Sequence, residues 1–133
     1  MNLNFSRQNI GLHVLRLGLA AVFLWFGFSQ IIDSLSWVNI VPDWAVSLLH
    51  VPPAFIVMGN GLFEIILGTL LAMNIGVRII SLILALHLIP IALDFGFTSA
   101  TGIRDFGLVI ATLSLFLIYK KPQEEPIGSP ADR

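Results

Sequence analysis

Four apolar runs, each about the length that crosses a bilayer, occupy most of this chain and leave few folds open to it. A spanning helix needs roughly 20 mostly apolar residues, because about 30 Å of hydrocarbon is crossed at 1.5 Å per residue. The runs extend from about Gly11 to Ile32, Ala54 to Met73, Val77 to Phe97 and Ile103 to Tyr119. They predict an all-α integral membrane protein, a four-helix bundle with a short interfacial loop or helix between its first and second spans.

Composition leads to the same place. Of the 133 residues, 56% are hydrophobic and only 11% charged, against about 25% charged in an ordinary soluble domain. Seven basic and eight acidic residues cannot cover the surface of so short a chain, so the rest of that surface faces lipid. A net charge of -1 offers no basic patch, which excludes nucleic acid as a partner. Without cysteine there is no disulfide, thiol redox chemistry or thiolate metal site. Any chemistry falls to carboxylates, imidazoles and arginines.

The chain divides into an N-terminal segment over residues 1–10, a transmembrane domain over 11–119 and a tail over 120–133. The tail, KKPQEEPIGSPADR, is polar and proline-rich, and is expected to be disordered and cytoplasmic. Asn74 and Gly76 mark a tight connection after the second span, and Thr98 to Gly102 another after the third. Arg7, Arg16, Arg78, Lys120, Lys121 and Arg133 fall at one face, against Arg104 alone at the other. The positive-inside rule then predicts a multi-pass protein of the cell membrane with both termini cytoplasmic. The first run reads as a span rather than a cleaved signal peptide, being longer than a usual signal's apolar region and lacking a clean A-x-A-like site at its end. The longest connection, Ser34 to Pro53, lies outside and carries Trp37 and Trp44, a residue type that prefers the headgroup level. It reads as an interfacial flap, with a short helix over Pro42 to His50.

Three spans have one polar, small-residue edge. Asn60, Glu64 and Gly68, with Gly61 beside them, share a face of the second. Arg16, Ala20, Phe23, Gly27 and Gln30 mark the first, and His87, Pro90 and Asp94 the third. Small residues permit close helix approach in lipid, which makes Gly27, Asn60, Gly61 and Gly68 candidate packing positions. Intramembrane ionisable groups face the bundle interior and are candidate functional sites. By depth, Glu64 and His87 form the most plausible central pair, and Arg16, about two turns away, is a second candidate partner for Glu64. Gln30, Asp94, Arg104 and Asp105 predict an outer polar cluster under the flap. Two readings of Glu64 stand side by side: a bond that locks helix packing, and a role in proton or ligand handling. For His87, beside Pro90, hydrogen bonding at a kink is the simpler role. No Glu-x-x-His pair of the di-iron kind occurs, and no metal site is expected.

The stretches LRLGLAAVFLWFGFSQ, GLFEIILGTLL and RDFGL, with a short turn before Arg78, together resemble the DoxX/DoxD family of small four-helix membrane proteins, over about residues 12–118. The family pattern carries over to Arg16, Gly27, Glu64, Arg104 and Asp105. Members often have a lysine three residues after the first-span glycine, where this chain has Gln30. The family's name comes from a thiosulfate:quinone oxidoreductase with a DoxD-type membrane subunit. The resemblance therefore implies the membrane subunit of a redox system, with a quinone as the candidate cofactor and a second redox subunit or another copy of the chain as candidate partners beside the lipid. Relatives tied to membrane-protein assembly imply the alternative, a non-catalytic assembly factor or scaffold.

Overall fold

Each apolar run folds into a helix of spanning length. In a computed structural model, which describes residues 3–119 with side chains from Arg7 onward, α1 covers Leu3–Ile32, α2 Asp43–Leu49, α3 Pro53–Ala72, α4 Val77–Phe95 and α5 Ala100–Ile118. A 3-10 helix, Ser34–Ile40, precedes α2. The expected tail over residues 120–133 lies outside the described residues. Helices α1, α3, α4 and α5 are each long and apolar enough to cross a membrane. No span has more than 33% of its most apolar window buried, so most of every helix surface faces lipid.

Helix α1 begins well before Gly11, where its apolar run starts, because nothing between Leu3 and Gly11 breaks a helix. Helix α5 also starts earlier than its apolar run. The Ser99 side chain accepts a hydrogen bond from the Gly102 amide at 2.9 Å and caps the helix, which puts Thr101 and Gly102 in its first turn. Helix α4 stops at Phe95, two residues short of the expected Phe97, where Gly96 takes a positive φ.

The flap is a 3-10 turn and a short helix under tension at one joint. Asp33 caps the turn, accepting from the Ser36 amide and hydroxyl. Helix α2 ends at His50, which holds φ 54 in the left-handed region that costs a side-chain-bearing residue about 1–2 kcal/mol. His50→Gly is accordingly expected to raise stability by about 0.5–1 kcal/mol after glycine's own entropy is subtracted, read as a higher midpoint of thermal unfolding in detergent.

Helices α1 and α3 pack closely along their length, as do α4 and α5, while the two pairs meet each other less extensively. Glycine sets the first pair. A Cβ on Gly27 would lie 2.7 Å from the Gly61 carbonyl oxygen, and one on Gly61 2.8 Å from the Gly27 carbonyl oxygen. Further along, Gly68 receives Phe23 and Leu24. At the end away from the flap the two pairs share a core of Leu19, Phe23, Leu67, Leu71, Leu84 and Leu115. There the Tyr119 hydroxyl donates to Asn74 Oδ1 at 3.1 Å, tying α5 to the α3–α4 turn.

Candidate functional site

Toward the flap the two pairs diverge and leave a cavity of about 830 Å³, within the range of small-molecule sites, roughly 300–1,000 Å³. Its walls are largely apolar and aromatic, with Phe23, Phe26, Trp37, Ile56, Leu88 and Ile91 among them. Into it face Gln30, Asn60, Glu64, His87, Asp94, Arg104 and Asp105.

Glu64 is 4% exposed and belongs to a closed ring of three side chains. Asn60 Nδ2 donates to Glu64 Oε1 at 3.2 Å and to Gln30 Oε1 at 2.8 Å, and Gln30 Nε2 donates to Glu64 Oε2 at 3.2 Å. Each carboxylate oxygen thus holds one amide donor and keeps room for another. The central pair expected from depth is present: His87 Nε2 stands 3.9 Å from Glu64 Oε1. That is too long for a hydrogen bond. His87 Nε2 is buried without a partner, its ring held against Phe63 with centroids 4.7 Å apart.

One expected placement is corrected and one is extended. Arg16 does not reach Glu64. Its Nη1 donates to the carbonyls of Leu71 and Ala72, both at 2.6 Å, two turns along α3 from the carboxylate. Helix ends leave their last carbonyls free, and these lay closer to a long cationic side chain than Glu64 did. Gln30 lines the cavity with Asp94, Arg104 and Asp105 as expected, and also bonds Glu64 and Asn60. The close approach at Gly61 carries it to the level of Glu64, so central and outer groups line one cavity. Arg104 and Asp105 do pair, with Nε and Nη2 both 2.8 Å from Oδ1, and the guanidinium lies 4.9 Å over the Phe26 ring. Asp94 is exposed at the mouth. Among the described residues no group of three His, Asp or Glu side chains is placed to hold a metal ion.

The DoxX family model matches residues 11–97, well over half of the chain. The protein belongs to the DoxX family. No curated protein and no solved structure matches it. The matched segment of this DoxX protein contains the Gln30–Asn60–Glu64 ring, His87 and Arg16, and stops before α5, so Arg104 and Asp105 lie beyond it. Sequence reasoning missed Phe26 and Phe63 at the site. Phe26 lay within reach of it, being on the face of α1 that Phe23 and Gln30 share, whereas Phe63 faces His87 from beside the polar edge of α3 and carried no signal.

Proposed function

We propose that this DoxX protein is the membrane subunit of a quinone-linked redox system, set in the cell membrane with both termini cytoplasmic, and that its cavity receives a quinone head group between Glu64 and His87. The observation that carries this reading is the 3.9 Å separation of His87 Nε2 from Glu64 Oε1 with the imidazole nitrogen unpartnered. An oxygen atom about 2.8 Å from each closes two hydrogen bonds at once: a carbonyl accepts from His87 Nε2–H and from the protonated Glu64 carboxyl, and a hydroxyl accepts from His87 and donates to the Glu64 carboxylate. A quinone supplies such an oxygen and, when bound, reversible two-electron, two-proton chemistry. The protein's own contribution is positional. Asn60 and Gln30 hold the carboxylate of Glu64 in place, Phe63 orients the imidazole of His87, and Phe26, Leu88 and Ile91 exclude water from the ring. With these donors and acceptors set in advance, Glu64 Oε1 and His87 Nε2 would hold or release a proton at the ligand's position without side-chain rearrangement.

Trp37 and Trp44 line the same cavity, so a short-chain benzoquinone bound there quenches tryptophan fluorescence. Saturable quenching in the purified protein is expected, with the dissociation constant raised at least about tenfold by Glu64→Gln and by His87→Leu, the effect of losing one buried hydrogen bond to a charged or strongly polar group. Unchanged quenching in both variants would overturn the reading. The second reading, a scaffold, has its own support, since the Gln30–Asn60–Glu64 ring fastens α1 to α3. It predicts instead that Glu64→Gln lowers thermal stability while no quinone binds at all.

A further inference from the structure

The cavity has a floor. Its lining stops at Val22 on α1, Glu64 on α3, His87 on α4 and Leu108 on α5, near the middle of each helix. Beyond that level the bundle closes on itself. Leu19, Leu67, Leu84 and Leu115 are buried in one core. Ser81 and Thr112, the hydroxyls buried at this depth, donate to the Arg78 and Leu108 carbonyls of their own helices at 3.1 and 2.7 Å. From Glu64 to Ala72 this seal is about 12 Å deep. At its far end the Arg16 guanidinium is buried on two carbonyls, and a fixed cation in such a position opposes the passage of protons and other cations.

The open half carries an excess of acidic groups. Asp33, Glu64, Asp94 and Asp105 line it against Arg104 and His87. Arg104 is committed to Asp105, so carboxylates stay in excess whichever protons Glu64 and His87 hold.

We propose that the cavity is a blind vestibule, entered from the flap end alone, whose acidic lining admits uncharged or cationic head groups and turns away small anions. This deepens the function proposed above by giving the side from which ligand and protons reach Glu64 and His87, and it rests on that reading only for the identity of the ligand. The hydroxyl protons of a ligand bound there exchange with water on the flap side.

The chain contains no cysteine, so single introduced thiols report access without background. In the full-length protein, Asn60→Cys probes the lining and Thr112→Cys the seal, while Asn39→Cys marks the flap surface and Ile75→Cys the opposite one. Sealed vesicles of both orientations are treated with a cationic or an anionic membrane-impermeant methanethiosulfonate. Asn60→Cys is expected to react only from the side that labels Asn39→Cys. Its preference for the cationic reagent is expected to exceed that of Asn39→Cys by about tenfold, the lower end of electrostatic focusing in a charged cleft. Thr112→Cys stays unlabelled from both sides until the protein is denatured. Labelling of Asn60→Cys from the Ile75 side or from neither side, labelling of Thr112→Cys in sealed vesicles, or an equal or reversed charge preference would each overturn the proposal. Ile91→Cys, also in the lining, repeats the measurement if loss of the Asn60 hydrogen bonds prevents folding. Quinone need not bind for the labelling to be read. One-sided labelling without quinone binding overturns the proposed function and keeps the vestibule, and two-sided labelling of a protein that binds quinone does the reverse.

Discussion

Gly27→Val is expected to lower stability by about 2–4 kcal/mol, and the loss traces to a single crossing point between helices. The new Cβ would meet the Gly61 carbonyl oxygen and Ile65 Cγ1, both at 2.7 Å. The carbonyl is part of a helix and cannot turn aside, so α1 and α3 must separate. Overpacking of this kind costs about 1–3 kcal/mol and occasionally more. Separation also breaks the Gln30–Asn60–Glu64 ring, at about 0.6 kcal/mol for each hydrogen bond between membrane helices. Gly18→Val is the control, because a Cβ there meets nothing within 4 Å. Thermal unfolding in mild detergent should place Gly18→Val within about 0.5 kcal/mol of the parent, as for substitutions away from structural features. Equal effects at the two positions would mean that the glycine crossing does not organise the pair.

Arg16→Leu is expected to destabilise by about 2–3 kcal/mol while leaving the cavity's affinity for a quinone analogue unchanged. Hydrogen bonds to a charged group contribute about 1.5–3 kcal/mol, and Arg16 makes two to backbone carbonyls, those of Leu71 and Ala72 at the negative end of the α3 dipole. The Leu71 carbonyl also accepts from the Asn74 amide. Ala72 therefore loses the partner that matters most. Removing a buried cation returns part of the cost of inserting it, which keeps the net effect below the sum of two such bonds. Arg16→Lys should recover part of the stability, since one ammonium keeps the charge without the planar fork. A fall in ligand affinity equal to that of Glu64→Gln would instead return Arg16 to the site from which the geometry removes it.

Arg16 also shows what was and was not legible in the sequence. Depth along a helix can be counted from residue number, and by that count Glu64 and His87 meet. Gly27, Gly61 and Gly68 were equally readable, because close approach in lipid needs small residues and little else supplies them. Direction around the helix and the reach of a long side chain are harder. Arg16 was within reach of Glu64 in depth, but two carbonyls at the end of α3 were nearer, and no pattern in the sequence announces a backbone acceptor. The bonds of Gln30 to Glu64 and Asn60 are hard to read for a related reason: how far it lies from Glu64 depends on the interhelical distance set by Gly61, which spacing alone does not report. The cavity was the least legible feature. It arises from the divergence of two helix pairs, and that is a property of how the spans are arranged rather than of any one of them.

That arrangement bears on how the protein is made. Helices α4 and α5 are neighbours in sequence, joined by a short turn, and can associate as soon as both are inserted. Helix α1 instead has α3 as its main partner, with the flap between them. Synthesis proceeds from the N-terminus, so α1 enters the bilayer with Arg16 and Gln30 before the carbonyls and carboxylate that receive them exist. During that interval α1 is the segment that a membrane insertase or a holding factor has most reason to shield. The cavity, lined from α1, the flap, α3, α4 and α5 together, forms only when the last span is in place, so binding of the proposed ligand would report completed assembly in the cell.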